Sequence, residues 1–234
     1  MKKLSRMLIL LLVVVMTLTA VVSCGNDPAP GTTTDPKTST TNPDKQPDDP
    51  TPAKDVIEIG TVAELLDAAK KIAANTDGYA TKKFVLTADI TLTDAFAPIT
   101  GFQGEFDGQF HTISGLNLDD AKENAGFFAT LEGATVKNLI FKDAKIANSA
   151  AECTAGVLAG FAKNSKIDAV TVTGTLTLGG TKAVMGGLLG KAEETTVTNV
   201  KAVVTAEGQG EVVGGVIGAM LDKTVLVNAY TELT

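Results

Sequence analysis

Arginine is almost missing from this chain. Arg6 is the only one in 234 residues. Tryptophan is absent, tyrosine occurs twice, and His111 is the single histidine. Sites that grip phosphate or carboxylate groups bidentately rely on arginine. Platforms for sugars and bases rely on aromatic rings. The shortage counts against several function classes at once. Only two cysteines are present, Cys24 and Cys153. The formal charge is −7, and an acidic surface disfavours nucleic acid and anionic lipid as charge-driven partners. No nucleic-acid partner is expected.

The N-terminus carries its own message. Lys2, Lys3 and Arg6 precede an apolar run from Met7 to Val22, broken only by Thr17 and Thr19. Small residues then lead to Ser23, Cys24 and Gly25. This is the three-part layout of a secretory signal. The run is shorter than the roughly 20 residues a membrane-spanning helix needs. Val21-Val22-Ser23-Cys24 resembles the lipobox of bacterial lipoproteins, with Val in place of the commoner Leu at the first position. The resemblance implies cleavage after residue 23 and acylation of Cys24. Residues 1–23 are thus expected to be a signal peptide. The mature chain would be lipid-anchored in the cell envelope, at the outer membrane or cell surface. Removing three basic residues takes the formal charge from −7 to −10.

With Cys24 committed to lipid, an internal disulfide is impossible. Cys153 then reads as a small buried core residue. A catalytic thiol would need a histidine partner, and His111 is the only candidate.

Residues 24–55 differ in composition. Seven of the eight prolines fall here, among Thr, Asp, Asn and Lys. Such a segment cannot bury enough apolar surface to offset its ordering entropy. It reads as a disordered tether, extending about 3.1 Å per residue where stretched.

Order is expected from 56 to 234. Val56, Ile57 and Ile59 suggest a short strand. Thr61-Val62-Ala63-Glu64 has capping-box spacing. Val62, Leu65, Leu66, Ala69 and Ile72 recur with helical period, which predicts one helix over 61–74, ended near Asn75–Gly78. Phe84, Leu86, Ala88, Ile90 and Leu92 then alternate as in a strand. No helix is expected beyond residue 80.

The remainder repeats itself. Gly126-Phe127-Phe128-Ala129 is echoed at Gly156-Val157-Leu158-Ala159-Gly160. It returns at Gly186-Gly187-Leu188-Leu189-Gly190 and at Gly214-Gly215-Val216-Ile217-Gly218. The first glycines are 30, 30 and 28 residues apart. A second apolar piece follows each, such as Val136–Phe141 or Ile167–Val172, and usually a third. A unit so small cannot bury its own apolar face, so such units must stack. Propeller blades use about 40–45 residues, and a sandwich would not keep this fixed period. The expected fold is all-β: a right-handed parallel β-helix, or β-solenoid, of about five coils with one N-terminal capping α-helix. Gly108, Gly126, Gly156, Gly160, Gly186, Gly187, Gly190, Gly214, Gly215 and Gly218 are expected to be structural turn glycines. They would either adopt positive φ or let neighbouring backbones approach. Gly186–Lys191 lacks the spacing and following helix of a phosphate-binding loop.

The same landmarks resemble the GLUG motif, Gly-Leu-apolar-Gly, of repeat-containing bacterial surface proteins that include some immunoglobulin A peptidases. Gly187-Leu188-Leu189-Gly190 matches strictly, and the other copies carry substitutions. Phe102–Leu116 and Leu86–Ile90 resemble segments that precede such repeats. The resemblance covers about 56–234 and implies a surface-exposed right-handed β-helix. It does not imply proteolysis, since the repeats are accessory in those proteins.

Chemistry-bearing clusters are few. Asp107-Gly108 with His111 is the most suggestive, but Asp-Gly also closes an ordinary turn. A lone histidine without further ligand spacing is weak for zinc. Asp89, Asp94, Asp107, Asp119 and Asp120 lie in the first coils, where they could share a face in the manner of a glycan-cleaving solenoid, although acidic residues at turns more often are simply solvated. No loop spacing supports calcium at Asp119-Asp120. No catalytic, cofactor or metal residues are therefore assigned, and no cofactor is expected.

Three readings follow from the sequence. The first is a non-catalytic surface module for adhesion or binding, with a host or matrix protein or a glycan as partner. The second is a carbohydrate-active enzyme or subunit using carboxylates on one face. The third is self-association or partner docking through residues 213–234, where no cap is visible. The anchor has a direct check. Metabolic labelling with palmitate is expected to mark the wild-type chain and not Cys24→Ser. An unlabelled wild type, or a label that survives the substitution, would exclude the lipid anchor.

Overall fold

The computed structural model describes residues 56–93, 96–119, 123–208 and 210–234. The signal segment 1–23, Cys24 and the tether up to residue 55 lie outside them, as do Asp94 and Asp120. No described helix is long and apolar enough to cross a membrane.

Strand β1 (Val56–Ile59) leads into helix α1 (Val62–Ala73). The capping box forms as the sequence predicts. Glu64 N–H donates to Thr61 Oγ1 at 3.2 Å, and Glu64 Oε2 accepts the Thr61 N–H at 3.0 Å. The helix buries Leu65, Ala68 and Ile72 against the core. A tight turn over Thr76–Thr81 follows, with Asp77 and Gly78 at positive φ. The alternating run after it is not one strand. It divides into β2 (Lys83–Leu86) and β3 (Ile90–Thr91). Thr87 N–H donates to the Ile59 carbonyl, and the Asp89 carboxylate accepts the Thr112 N–H at 2.9 Å. The chain turns a corner there while keeping its inward parity.

An irregular coil comes next. Ile99 and Phe102 form single bridges to Phe128 and Leu131, followed by β4 (Glu105–Asp107), β5 (Thr112–Ser114) and β6 (Asn117–Asp119). Four regular coils then stack on it. The first holds β7 (Asn124–Ala125), β8 (Phe128–Glu132) and β9 (Thr135–Asn148). The second holds β10 (Thr154–Ala155), β11 (Ala159–Lys163) and β12 (Lys166–Leu178). The third holds β13 (Val184–Gly186), β14 (Leu189–Glu193) and β15 (Thr196–Gly208). The last holds β16 (Val212–Gly214), β17 (Ile217–Met220) and β18 (Val225–Leu233).

Every strand pairs with its counterpart one coil away, in parallel. β7, β10, β13 and β16 form one sheet, and β8, β11, β14 and β17 a second. The ten-stranded third sheet runs β1-β2-β4-β9-β12-β15-β18, with β3, β5 and β6 alongside. The fold is thus an all-β parallel solenoid: about five coils, with α1 covering the first end. Among the described residues the core runs from Ile59 to Ile217.

The core changes character along the axis. Phe84, Phe96, Phe102, Phe106, Phe127, Phe128 and Phe141 are buried in the early coils. Phe102 stacks on Phe128 at 5.1 Å and Phe96 on Phe127 at 5.0 Å. At the register of Phe128 the later coils carry Ala159, Leu189 and Ile217.

Two corners recur in every regular coil, and non-glycine residues mostly hold them. Gly133, Asn164, Glu194 and Lys223 take positive φ two residues before β9, β12, β15 and β18. Beside this corner Ser165 Oγ accepts the Ala134 N–H at 3.2 Å, and Thr195 Oγ1 accepts the Ser165 N–H at 3.3 Å. Those buried hydroxyls satisfy turn amides that no strand partner reaches. The second corner falls at Asn138, Ala169, Asn199 and Asn228, with φ of 52° to 54°. Asn228 Nδ2 donates to Asn199 Oδ1 at 2.6 Å, and Asn199 Nδ2 donates to Asp168 Oδ1 at 2.8 Å. Asn138 Nδ2 donates to Asp107 Oδ1 at 3.1 Å.

The ten expected turn glycines play a different part. None adopts positive φ; that conformation belongs to Gly78, Gly101, Gly115, Gly133 and Gly208. What the ten share is closeness. A Cβ added at Gly156 would come within 2.6 Å of the Leu188 carbonyl oxygen in the next coil. One at Gly160 would lie 2.8 Å from the Ala125 amide in the previous coil.

Ala169 is the one corner of its row without an asparagine. Left-handed backbone costs ordinary L-residues about 1–2 kcal/mol, and asparagine tolerates it better. Ala169→Asn is therefore expected to raise unfolding stability by roughly 1 kcal/mol. Gly156→Ala, which forces overpacking, is expected to lower it by about 1–3 kcal/mol. Urea denaturation measures both, and opposite signs would contradict this reading of the corners.

Candidate functional site

The glycines that tighten the stack also shape its surface. Gly160, Gly190 and Gly218 lie in β11, β14 and β17, and added Cβ atoms there would meet Asn124–Ala125, Thr154–Ala155 and Met185. The two four-stranded sheets therefore fold closely against each other. Outward side chains from both sheets flank the resulting crease.

A groove runs along it. Thr154 and Val184 line it from one sheet, and Phe161 and Lys191 from the other. Glu123, Glu152, Lys182 and Glu211 stand along its margin. Phe161 is half-buried, one of only two phenylalanines outside the core. It lies in register with Lys191 one coil on. Lys182 pairs with Glu152 across neighbouring coils. That ammonium holds the Glu152 carboxyl below its ordinary range. The Thr154 hydroxyl donates to Asn124 Oδ1 within the same groove. Three carboxylates, two ammonium groups, hydroxyls and one phenyl face thus share an open trough.

Cys153 lies beneath this surface as a buried free thiol, as its sequence context suggested. Burial pushes its pKa up, which keeps it protonated and poorly nucleophilic. His111 does not approach it as a hydrogen-bond partner. Its Nδ1 lies 3.1 Å from Asp89 Oδ1.

Asp107 and His111 do not form a pair either. Burial alone would raise the Asp107 carboxyl. The Gln109 amide, the Asn138 side chain and the Lys137 ammonium outweigh that and hold it below its usual value. Lys137 Nζ lies 3.5 Å from Asp107 and 2.8 Å from Glu105, which Lys83 also meets at 3.2 Å. Chiefly through the Lys137 hydrogen bond, the Glu105 carboxyl is also held low. This Lys83–Glu105–Lys137–Asp107 string crosses β2, β4 and β9. Its charges are satisfied by one another, which suits a structural role. Asp89 and Asp107 thus serve separate corners, and Asp119 is exposed at the end of β6. Among the described residues no three His, Cys, Asp or Glu side chains converge in a way that would hold a metal ion.

The groove was not visible as a site in the sequence. Glu123, Glu152, Lys182 and Glu211 look like scattered surface charges until the coil period of about 30 residues is applied to them.

No family model matches the sequence. No curated protein matches it either. Among solved structures the chain is similar to a Bacteroides ovatus protein described as a "putative immunoglobulin A1 protease". The identity is 14%, over 75% of this chain and 83% of that one, with a TM-score of 0.30. A likeness that slight carries no functional argument.

Proposed function

We propose that this chain is a cell-surface lipoprotein whose solenoid acts as a non-catalytic binding module. The signal-like N-terminus, the resemblance of Val21–Cys24 to a lipobox and the Pro/Thr-rich tether support surface attachment. The GLUG-like repeats support a surface module. The observation that carries the binding role is the groove between the two smaller sheets. It offers a half-buried ring, hydroxyls and charges of both signs along the direction in which coils stack. An extended polar chain suits such a trough, either a glycan or a peptide segment of a host or matrix protein. Phe161 would supply the apolar face that a sugar ring or side chain packs on. The charged margin would set orientation and partner choice.

One feature favours a second reading, a carbohydrate-active enzyme or subunit. Glu123, Glu152 and Glu211 line the same groove. Glycoside cleavage by paired carboxyls needs one with a raised pKa to act as general acid. Lys182 pairs with Glu152 and holds its carboxyl below the ordinary range, which disfavours Glu152 as that acid.

Residues 25–234, which contain every described core residue, serve as the reagent. On an array of glycans and host or matrix proteins it is expected to retain a defined set of ligands. Phe161→Ala and Lys191→Glu should each weaken that binding tenfold or more, while Phe110→Ala, far from the groove in sequence and sheet, should leave it intact. No retained ligand, or unchanged binding by both groove variants, would refute the proposal. Release of new reducing ends from a bound glycan would establish the second reading instead.

A further inference from the structure

The strands beside the groove run across it, because they follow the coils while the groove follows the stacking direction. β10, β11, β13 and β14 each pair with a neighbour on both sides. Their backbone donors and acceptors are largely spent on that pairing. Peptides bound in extended form draw much of their affinity from an open strand edge, and these four strands offer none. A ligand lying along the groove meets side chains.

Those side chains are rich in acceptors. Among the described residues Glu123 and Glu211 have no ammonium within ion-pair distance. The Thr154 hydroxyl already gives its proton to Asn124 Oδ1. Ionised carboxylates accept hydrogen bonds and donate none. A ligand dense in hydroxyl donors satisfies such a lining, and that describes a glycan better than a peptide.

One lysine adds a second requirement. Lys182 is paired with Glu152, and Lys163, on the same strand as Phe161, is paired with Glu193. Lys191 is half-buried and, among the described residues, has no carboxylate within ion-pair distance. It acts on Glu152 only through space. A partly buried charge is costly while unpaired. Its neighbour in the same outward row is Phe161, one coil away. Phenyl face and ammonium therefore stand about 4.8 Å apart at the backbone. A sugar ring packed on Phe161 can reach Lys191 with a substituent.

We infer that the groove selects a glycan in which one carboxylate-bearing sugar, a hexuronic or a sialic acid, stands among neutral ones. The inference rests on the binding role proposed above and names its ligand class. The acidic ring packs on Phe161, and its carboxylate becomes the partner that Lys191 lacks. A charge-assisted contact of this kind is stronger than a neutral one. Glu123 and Glu211 confine the charge to that one place, because further carboxylates along the groove would face them. A polyanion is thereby rejected.

NMR titration of residues 25–234 with matched probes reads the answer. The probes are a neutral oligosaccharide carrying one glucuronic acid, sialyllactose, the carboxyl-reduced alcohol of each, and oligogalacturonate. At least one single-acid probe is expected to bind roughly tenfold or more tighter than its own alcohol. Which one does so separates the two sources of the carboxylate. Oligogalacturonate should bind no better than the alcohols. Lys191→Met should erase the preference for acid while keeping the affinity for alcohol, and Phe161→Ala should weaken both. Equal affinity of acid and alcohol for the wild type, tighter binding of oligogalacturonate, or a preference that survives in a folded Lys191→Met would each overturn the inference. The wild-type comparison stands even where a variant fails to fold. Binding confined to neutral glycans or to peptides would overturn this ligand class and leave the binding role intact, whereas no binding to any probe or array ligand would overturn both.

Discussion

Everything in this molecule depends on one coil lying directly on the next, close enough for backbone hydrogen bonds around nearly the whole circuit. Each strand finds its partner about 30 residues away, in parallel, with matched register on most sides. Parallel pairing at this spacing leaves little room between stacked backbones. Glycine is required wherever one backbone presses on another, as Gly156 does on the Leu188 carbonyl. The motif glycines thus set the distance between layers. The corners are set by other residues, with Asn138, Asn199 and Asn228 turned left-handed and hydrogen-bonded along the axis.

That constraint also decides where chemistry can sit. The interior is filled, by stacked phenylalanines near the first end and by aliphatic side chains later. Outward positions repeat from coil to coil, so side chains form rows, and rows of opposite charge pair across layers. Lys182 with Glu152 and Lys163 with Glu193 are such pairs, the latter at 2.8 Å. Exposed pairs of this kind contribute little stability singly. Their larger effect is on the electrostatic pattern that a partner meets. The crease between the two smaller sheets is where that pattern becomes concave.

The repeat, and with it the solenoid, was legible because a period of 28–30 residues survives substitution within each unit. Helix α1 was legible from its cap and its apolar spacing, and both are formed as expected. Local geometry within the coils was not. Alternation from Phe84 to Leu92 suggested one strand, yet the chain turns a corner between β2 and β3 while inward residues stay inward. The second and third apolar pieces of each repeat suggested separate strands. They join into long strands such as β9 and β12, bent at Asn138 and Ala169. An alanine at a left-handed corner gives no signal in a single sequence. Asp107 and His111, read from the sequence as a turn more than a site, do not pair: His111 meets Asp89, 22 residues upstream. The groove was illegible because its charges belong to different coils.

The central claim is that neighbouring coils stack in parallel with a defined register, and cross-linking tests it most directly. Thr171 pairs with Lys201 across β12 and β15. Adjacent strands lie about 4.8 Å apart, within disulfide reach, whereas a position two residues further along lies roughly 8 Å away and beyond it. Under mild oxidation, Thr171→Cys with Lys201→Cys is predicted to form an internal disulfide rapidly and completely. Thr171→Cys with Val203→Cys is predicted to stay reduced. Equal bridging by both pairs, or none by the first, would contradict the account.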